Sequence, residues 1–381
     1  MQNPQSKTGL VHFFSSINDP RVRRTREHKL IDILIIGICS VICGGEGFND
    51  METFGKAKQG WFKGFLDLPS GIPSHDTFNR VFSSINPKMF NECFIRWTET
   101  LRSKIGAEVV AIDGKALRRA CEKGESMTYI VSAWATENEL TLGQVKVKDK
   151  SNEITAIPEL LRVLDVAGCI VTIDATGRQK KIAKEIIESD ADYVLALKGN
   201  HSVAHDEIRT FFDDLIAPDP YLAPIETPEG MSCFESVDGG HGRVESRRYW
   251  VSSDINWFED KEKWEGLQSF GMVESVREIG DTRSYERRLY LMSLPCDAKE
   301  FAKAARGHWG VENPLHWTLD VTFREDDSRA RSGHAAENMA SLRRLALNLL
   351  KKDKAKPSLS IRRKRLMAGW NGEYLKSILG V

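Results

Sequence analysis

The sequence lacks several features that would assign a protein class directly. It has seven cysteines in 381 residues, but none forms a CxxC pair, and an odd, scattered set indicates a reduced, cytoplasmic protein rather than a disulfide scaffold. The first residues do not show the positive-then-apolar order of a secretory signal peptide. The longest apolar run, residues 31–43, is too short to span a bilayer, so we expect no membrane association.

A net charge is also absent, because 54 lysines and arginines balance 54 aspartates and glutamates. No global basic field therefore indicates a nucleic-acid partner. The basic residues are nevertheless concentrated near both ends of the chain, in runs that suit phosphate contact or, equally, a solvated face. These runs are Arg21, Arg23, Arg24, Arg26 and Lys29, and then Arg343, Arg344, Lys351, Lys352, Lys354, Lys356, Arg362, Arg363, Lys364 and Arg365.

The spacing of apolar residues divides the chain into segments of different type. Residues 1–100 have helical spacing and predict a helical N-terminal domain, which is either a DNA-binding module or a plain accessory domain. An α/β domain is predicted over 105–350, where the order strand, strand, strand, helix, strand, helix, strand indicates a mixed sheet with helical crossovers. Residues 205–297 predict a β-rich insertion in it, and residues 351–381 form a basic tail.

Three carboxylates are the main candidates for chemistry. Asp113 and Asp174 each follow a short apolar run that predicts a buried strand, and Glu312 lies in a segment with helical spacing. Ligands of open α/β sheets bind beyond the carboxyl ends of strands, so neighbouring strands would bring both aspartates to one crevice. Hard cations such as Mg²⁺ prefer oxygen ligands, and a pair of them performs phosphodiester chemistry. Alternatively, each aspartate is a turn residue or a helix cap.

Other side chains could complete or replace this group. The acidic run 325–327 offers an alternative third acid, unless it is a solvated loop. His308 and His316 flank Glu312 at intervals of four residues, so a zinc site is conceivable, although no matching set of further ligands stands out.

Five motifs, in this order, form a specific set that covers nearly the whole chain. They are Gly-Ile-Pro-Ser-His-Asp-Thr-Phe (71–78), Ala-Ile-Asp-Gly-Lys (111–115), Thr-Ile-Asp-Ala (172–175), Tyr-Val-Leu-Ala-Leu-Lys-Gly-Asn (193–200) and His-Trp-Gly-Val-Glu-Asn-Pro-Leu-His-Trp-Thr-Leu-Asp-Val-Thr-Phe (308–323). Together they resemble the H-repeat-associated insertion-sequence transposases of the bacterial DDE superfamily. The resemblance implies an RNase H-like core that is interrupted by a β-rich insertion and preceded by a helical domain.

The resemblance also implies a mechanism and its residues. Asp113, Asp174 and Glu312 would be the catalytic triad that binds two Mg²⁺ ions, for which Mn²⁺ can substitute. The enzyme would hydrolyse a phosphodiester bond at the end of the element and join the freed 3′-hydroxyl to target DNA by transesterification. Its partner would be double-stranded DNA in the bacterial cytoplasm, and bringing two DNA ends together would require a homodimer.

Further side chains are candidate DNA contacts. Lysines that follow predicted strands could neutralise phosphate, although they are equally well explained as surface residues. Arginines of the insertion could grip DNA ends or stabilise a flipped base. A histidine occupies the place where the wider superfamily often has an arginine, four residues before the glutamate. The candidates are Lys115, Lys198, Arg243, Arg247, Arg248, His308 and His316.

Two features leave the activity of this copy open. Pro314 lacks an N–H and disfavours helix at the preceding residue, so it predicts a kink just beyond Glu312. Residues 176–178 also differ from the commoner family form. The alternatives to an active transposase are therefore a catalytically decayed DNA-binding protein and a metal-dependent nuclease that does not transfer strands.

Overall fold

The computed structural model describes residues 9–120, 127–147, 153–174, 179–198, 202–219, 221–223, 226–240 and 242–380. The chain divides into two compact units. The first, here the helical unit, comprises residues 1–104, 114–152 and 312–381, and the second, the sheet unit, comprises residues 105–113 and 153–311. Residues 176–178, where the sequence departs from the commoner family form, lie outside the described residues.

Over residues 109–197 the elements follow the predicted order strand, strand, strand, helix, strand, helix, strand. The helices are α1 (Leu10–Phe14), α2 (Leu30–Ile42), α3 (Phe48–Ala57), α4 (Gln59–Phe62), α5 (His75–Ser84), α6 (Pro87–Leu101), α7 (Glu153–Leu161), α8 (Gln179–Glu188), α9 (Ser202–Leu215), α10 (Ala298–His308), a π-helix (Val311–Thr322), α11 (Ala335–Lys351), α12 (Ile361–Trp370) and α13 (Gly372–Leu379). The strands are β1 (Val109–Leu117), β2 (Thr128–Ala135), β3 (Leu140–Val147), β4 (Ile170–Ile173), β5 (Asp192–Leu197), β6 (Met231–Gly240), β7 (Arg243–Ser252), β8 (Ser269–Ile279) and β9 (Thr282–Met292). Among the described helices, none combines the length and the apolar character that crossing a bilayer requires.

In the helical unit, α11 is the central element. It packs against α2, α5, α6 and β3, and its apolar residues are almost all buried. Asn348 lies on its buried face, where its amide accepts a hydrogen bond from the Thr141 N–H and donates one to the Thr141 carbonyl, both at 2.9 Å. Satisfying both backbone groups allows a polar side chain to be buried between the helix and β3 without an unpaired donor.

The predicted basic tail of residues 351–381 is a helical segment, and part of its charge is internal. Lys364 is buried, donates to the Leu350 carbonyl at 2.8 Å and lies 3.4 Å from the Asp353 carboxylate. Arg365 is also buried and donates to the Val41 carbonyl at 3.0 Å. The expectation that the whole C-terminal basic run suits phosphate contact is therefore wrong for these two residues, and equally for the buried Arg343 and Arg344.

In the sheet unit the strand order is β1-β4-β5-β9-β8-β7-β6. Strands β1, β4 and β5 run parallel, whereas β9 pairs antiparallel with β5 and begins an antiparallel meander. The predicted mixed sheet is confirmed, and the strands of the predicted insertion extend it instead of forming a separate sheet. The register pairs Leu195 with Leu291, which joins the insertion to β5.

Helix α10 lies against the buried core of this sheet and determines where the following residues begin. Phe301 makes edge contacts with Tyr249 and Tyr290, with ring centroids 5.9 and 5.1 Å apart. Near the end of the helix, a Cβ on Gly307 would lie 2.7 Å from Cγ1 of Val109, so only glycine allows this close approach to β1. The tight packing holds His308, the last residue of α10, against the parallel strands.

Candidate functional site

Asp113 and Asp174 lie side by side on the parallel strands of the sheet unit. The pairing of β1 with β4 ends at Ile112 and Ile173, and the two aspartates are the next residues of the two strands. Asp174 follows the end of β4, as predicted. Asp113 does not follow the end of its strand, because β1 continues to Leu117, but it does lie just beyond the part that pairs with β4. Neighbours in register lie on one face of a sheet, so the two carboxylates share one edge and one face.

Lys198 brings a positive charge to the same edge. It follows β5, as predicted, and its ammonium group lies 2.6 Å from the Asp174 carboxylate. Both side chains are about half exposed, at 55% and 52%. An exposed ion pair of this kind contributes little to stability, so Asp174 and Lys198 remain available to a ligand.

His308 contacts the strand that carries Asp174. Its Nδ1 lies 3.1 Å from Oγ1 of Thr172, two residues before the aspartate. Burial lowers the pKa of His308, and the nearby charge of Asp174 and the hydrogen bond to Thr172 only partly oppose this effect. The ring is therefore neutral at pH 7, and its contact is with the strand. The expectation that His308 contacts DNA stays a prediction.

Arg247 and Arg248 are buried in the sheet unit and paired with acids. Arg247 is 4% exposed and lies 2.6 Å from both Asp238 and Glu245. Arg248 is similarly buried and pairs with Glu235 at 2.6 Å. Both guanidinium groups are committed to internal ion pairs, which corrects the expectation that they face DNA. The arginines can be buried because acids lie beside them, Glu245 on the same strand and Asp238 and Glu235 on the neighbouring strand.

Trp309 follows α10 and lies between two arginines. The guanidinium carbons of Arg247 and Arg288 are 4.7 and 5.4 Å from its ring centroid, within the range of cation–π contacts. Arg243 is more accessible, at 49% exposed, and pairs with Glu245 at 3.0 Å. Among the predicted arginines of the insertion, it alone keeps a substantially exposed side chain.

In the helical unit, Lys115 is the centre of a buried ion-pair cluster. Its ammonium group lies 2.7 Å from Asp320, 3.0 Å from Asp326 and 3.7 Å from Glu325, and its side chain is 7% exposed. Glu325 pairs in turn with the fully buried Arg344 at 2.9 Å. Lys115 is therefore an internal charge in the middle of β1. The expectations that it follows a strand end and contacts phosphate are both wrong.

The pKa values of two acids in this cluster are shifted in opposite directions. Burial raises the pKa of Asp320, with Asp326 and Glu325 adding to the effect and Lys115 opposing it. Burial alone would also raise the pKa of Glu325, but the charges of Arg344, Lys115 and Arg343 outweigh it and lower the pKa. The acidic run 325–327 is thus not a simple solvated loop, and its first two acids already have cationic partners.

Glu312 is an exposed residue in the first turn of the π-helix. Helix α10 ends at His308, so the chain turns at Trp309 and Gly310, before the glutamate and not after it. Pro314 lies within the first turn of the π-helix, which runs on to Thr322. The predicted kink just beyond Glu312 is therefore wrong.

No three His, Cys, Asp or Glu side chains in the described part of the chain are arranged to hold a metal ion. The zinc site that the sequence left conceivable, at His308, Glu312 and the half-buried His316, is therefore not among the described groups. Asp113 and Asp174 are adjacent within the sheet unit, whereas Glu312 belongs to the helical unit. The adjacent pair fits a hard cation, because both ligands are carboxylates and Asp174 already stabilises the positive charge of Lys198.

Sequence reasoning missed the side chains that support this edge. Thr172 lies in a motif that was singled out only for its aspartate, and Arg288 lies in the predicted β-rich insertion without being named as a candidate. Thr172 could have been found, because it lies on the same face of β4 as Asp174, two residues away. No pattern in the sequence indicates the pairing of Arg288 with Trp309.

Comparisons with known proteins agree with the motifs. The family description "Transposase DDE domain" matches residues 104–349, and the description "DDE_Tnp_1-associated" matches residues 11–98. The DDE domain implies an RNase H-like fold, as the resemblance did.

Curated relatives match over most of their length. The "H repeat-associated putative transposase YhhI" of Escherichia coli K12 is 40% identical over 377 residues, 97% of each chain. The "Putative transposase YncI" of Escherichia coli O157:H7 is 39% identical over 97% of this chain and 94% of its own. An uncharacterized protein from the dhlA 3′ region of Xanthobacter autotrophicus is 42% identical over 75% of this chain and 94% of its own.

Proposed function

The chain belongs to the DDE transposases, and from this membership we propose that it cleaves double-stranded DNA at the ends of its element and transfers the freed strand to a target. The observation that carries the proposal is the adjacent pair Asp113 and Asp174 at one edge of the parallel strands. Two carboxylates on rigid, neighbouring strands form a preorganised site for hard cations.

We assign the residues their roles as follows. Asp113 and Asp174 hold the cations, and Glu312 is the third ligand on the strength of its motif. Two Mg²⁺ or Mn²⁺ ions, when bound, polarise the phosphate and activate the attacking oxygen. Lys198 pairs with Asp174. Once cations occupied that carboxylate, Lys198 would be released and would contact a phosphate of the DNA.

Two neutral or aromatic side chains support the edge. His308 holds Thr172 through a hydrogen bond and, being neutral, adds no charge that would repel a cation. Trp309, with Arg247 and Arg288 on its ring, closes the adjoining surface of the sheet unit. A rigid support of this kind maintains the geometry of carboxylate ligands.

The experiment compares the unmodified chain with Asp113→Asn and Asp174→Asn on DNA that carries the ends of the element. Each variant should lose cleavage by more than about 100-fold, since each removes a direct ligand and even indirect metal contacts contribute 10–100-fold. Asp281→Asn is a matched control, because Asp281 is exposed in the turn between β8 and β9. Circular dichroism verifies that all variants are folded.

The same assay separates the alternatives when one DNA strand carries a labelled 3′-hydroxyl end. A joined product establishes strand transfer. Cleavage without a joined product identifies a metal-dependent nuclease, and DNA binding without cleavage in Mg²⁺ or Mn²⁺ identifies a decayed DNA-binding protein. We propose that the active complex is a homodimer that holds two DNA ends. On sedimentation, the joined product should therefore be found in a complex that contains two copies of the chain.

A further inference from the structure

A polar groove of about 330 Å³ lies in the helical unit, between the arginine-rich segment that precedes α2 and one face of α5. Most of the side chains on its walls can donate a hydrogen bond. These donors are Arg21, Arg24, His28, Thr77, Arg80 and Ser84.

One wall is a polar stripe of α5. Thr77, Arg80 and Ser84 recur at intervals of three and four residues, so they lie along one face of the helix. The opposite face carries Phe78 and Phe82, which are fully buried. Two hydroxyls and a guanidinium group along one stripe are the side-chain types that contact phosphate oxygens in DNA complexes.

The other wall is fixed by hydrogen bonds and also contains side-chain nitrogens without a hydrogen-bond partner among the described residues. Arg21 binds both carboxylate oxygens of Asp19 at 2.8 and 3.0 Å, and donates to the His28 carbonyl at 2.7 Å. Its side chain is only 10% exposed. In the described part of the chain, neither Nη1 of Arg21 nor Nδ1 of His28 has a hydrogen-bond partner, although both atoms are buried. Both residues line the groove.

The charge balance of the groove is positive. Asp19 neutralises Arg21, but Arg24 and Arg80 are exposed and form no ion pair with any described residue. Glu27 also lines the groove and offsets one of these two charges. Positively charged guanidinium groups next to hydroxyl donors favour a negatively charged phosphate over a neutral ligand.

We propose that this groove binds a phosphate of the double-stranded DNA backbone and so positions the helical unit on the duplex. The inference rests on the proposed function in taking DNA as the ligand. The contact reads no base, because hydroxyl and guanidinium contacts to phosphate fix register without carrying sequence information. It assigns a role to a domain for which the motifs implied only an association with the catalytic core.

The test is the salt dependence of binding to a short fluorescent duplex, measured by anisotropy without divalent cations so that no cleavage occurs. Each phosphate contact contributes about 0.9 to the slope of log K against log salt. Arg24→Ala and Arg80→Ala should each reduce the slope by up to about that amount, and their combination should reduce it further. Arg23→Ala is the matched control, because Arg23 is exposed on the same turn but does not line the groove.

A second variant separates hydrogen bonding from charge. Ser84→Ala should weaken binding while leaving the slope unchanged, because it removes a hydroxyl donor and no charge. A slope for Arg24→Ala/Arg80→Ala equal to that of the unmodified chain overturns the proposal, as does an equal loss in Arg23→Ala.

Failure of this inference is distinguishable from failure of the proposed function. If the groove variants bind duplex normally while Asp113→Asn loses cleavage, only the groove assignment is wrong. If the unmodified chain binds no duplex at all, both proposals are wrong.

Discussion

Lys115 illustrates how a single charge beside a catalytic motif acts through the structure instead of through a ligand. It lies two residues after Asp113, yet its ammonium group is buried among Asp320, Asp326 and Glu325. Removing a cation from water is costly, and the acids that surround Lys115 offset this cost. The cluster links β1 to the π-helix within the helical unit, so Lys115 is a structural residue of the motif.

Replacing Lys115 with methionine should therefore destabilise the protein. Removing one partner of a buried ion pair typically costs about 3–5 kcal/mol, since the remaining acids stay buried without their cation. The midpoint of urea denaturation, followed by circular dichroism, measures the loss. Arg118→Ala is the control, because Arg118 also pairs with Asp326 but is 73% exposed; it should change the midpoint very little. Equal midpoints for Lys115→Met and Arg118→Ala would contradict the assignment.

Single residues also show what the sequence can predict. Asp113, Asp174 and Lys198 became candidates because each follows a short apolar run in the sequence, and neighbouring strands bring such positions to one edge. The burial of Lys115 and Arg247 could not be found in this way, because their partners Asp320 and Asp238 come from other elements. Charge is visible in a sequence, but pairing depends on the tertiary fold.

Among the elements, the π-helix removes the main objection to an active site at Glu312. In a π-helix each N–H bonds to the carbonyl five residues earlier, so the first five N–H groups have no partner inside the helix. Pro314 is the fourth residue of this element. Its missing N–H therefore removes no hydrogen bond, which explains why the chain continues regularly to Thr322.

Pro314→Ala should accordingly have a small effect. Proline restricts the unfolded chain, so its removal should lower the free energy of unfolding by about 0.4–1 kcal/mol and leave DNA cleavage unchanged. Thr318→Pro is the matched comparison, because the N–H of Thr318 does have a partner five residues earlier, and this variant should lose about 3 kcal/mol. Urea denaturation and the cleavage assay measure the two effects. A large gain in cleavage for Pro314→Ala would instead indicate a decayed copy.

The C-terminal helices provide a prediction of pH dependence. Burial alone would raise the pKa of Asp353, but hydrogen bonds from Tyr374 and the Ala355 N–H, together with the charge of Lys364, lower it. A lowered carboxyl pKa stabilises the fold above the unfolded-state value of about 3.9, and this stabilisation is lost as the pH falls through the folded-state value. The anchoring of α12 and α13 should thus weaken in acid.

The difference in unfolding free energy between the unmodified chain and Asp353→Asn should therefore be largest at neutral pH and should shrink below about pH 4. Urea denaturation at several pH values from neutral to acidic measures it. A difference that stays constant over the whole range would show that the charge of Asp353 does not contribute.

At the element level, apolar patterning predicted the buried strands well. Strands were predicted at 128–135, 140–147 and 170–173, and β2, β3 and β4 have these bounds, because most of their residues are apolar and buried. Strand β6 was missed, since most of its side chains are exposed or half-buried and no alternation marks it. Helix α9 was also missed, because residues 205–297 were predicted as a β-rich insertion.

For the molecule as a whole, the order of motifs along the chain predicted the family and the mixed sheet, but not how the proposed triad is distributed. Asp113 and Asp174 come from the sheet unit, and Glu312 comes from the helical unit. Sequence order cannot show this division, because it depends on which segments pack together. The three residues therefore form a triad only if Glu312 binds the same cations as Asp113 and Asp174.

Metal binding by the full-length chain tests this contribution directly, without relying on catalysis. If Glu312 is a ligand, Glu312→Gln should weaken Mn²⁺ binding by at least about tenfold, the lower end of the losses seen even for indirect metal contacts. Asp113→Asn and Asp174→Asn should have effects at least as large, and Glu92→Gln, a change at an exposed glutamate of the same unit, should have none. Isothermal titration calorimetry and the paramagnetic resonance of free Mn²⁺ measure the affinity. If Mn²⁺ binding falls in the two aspartate variants but not in Glu312→Gln, the site is a carboxylate pair, and Glu312 acts elsewhere.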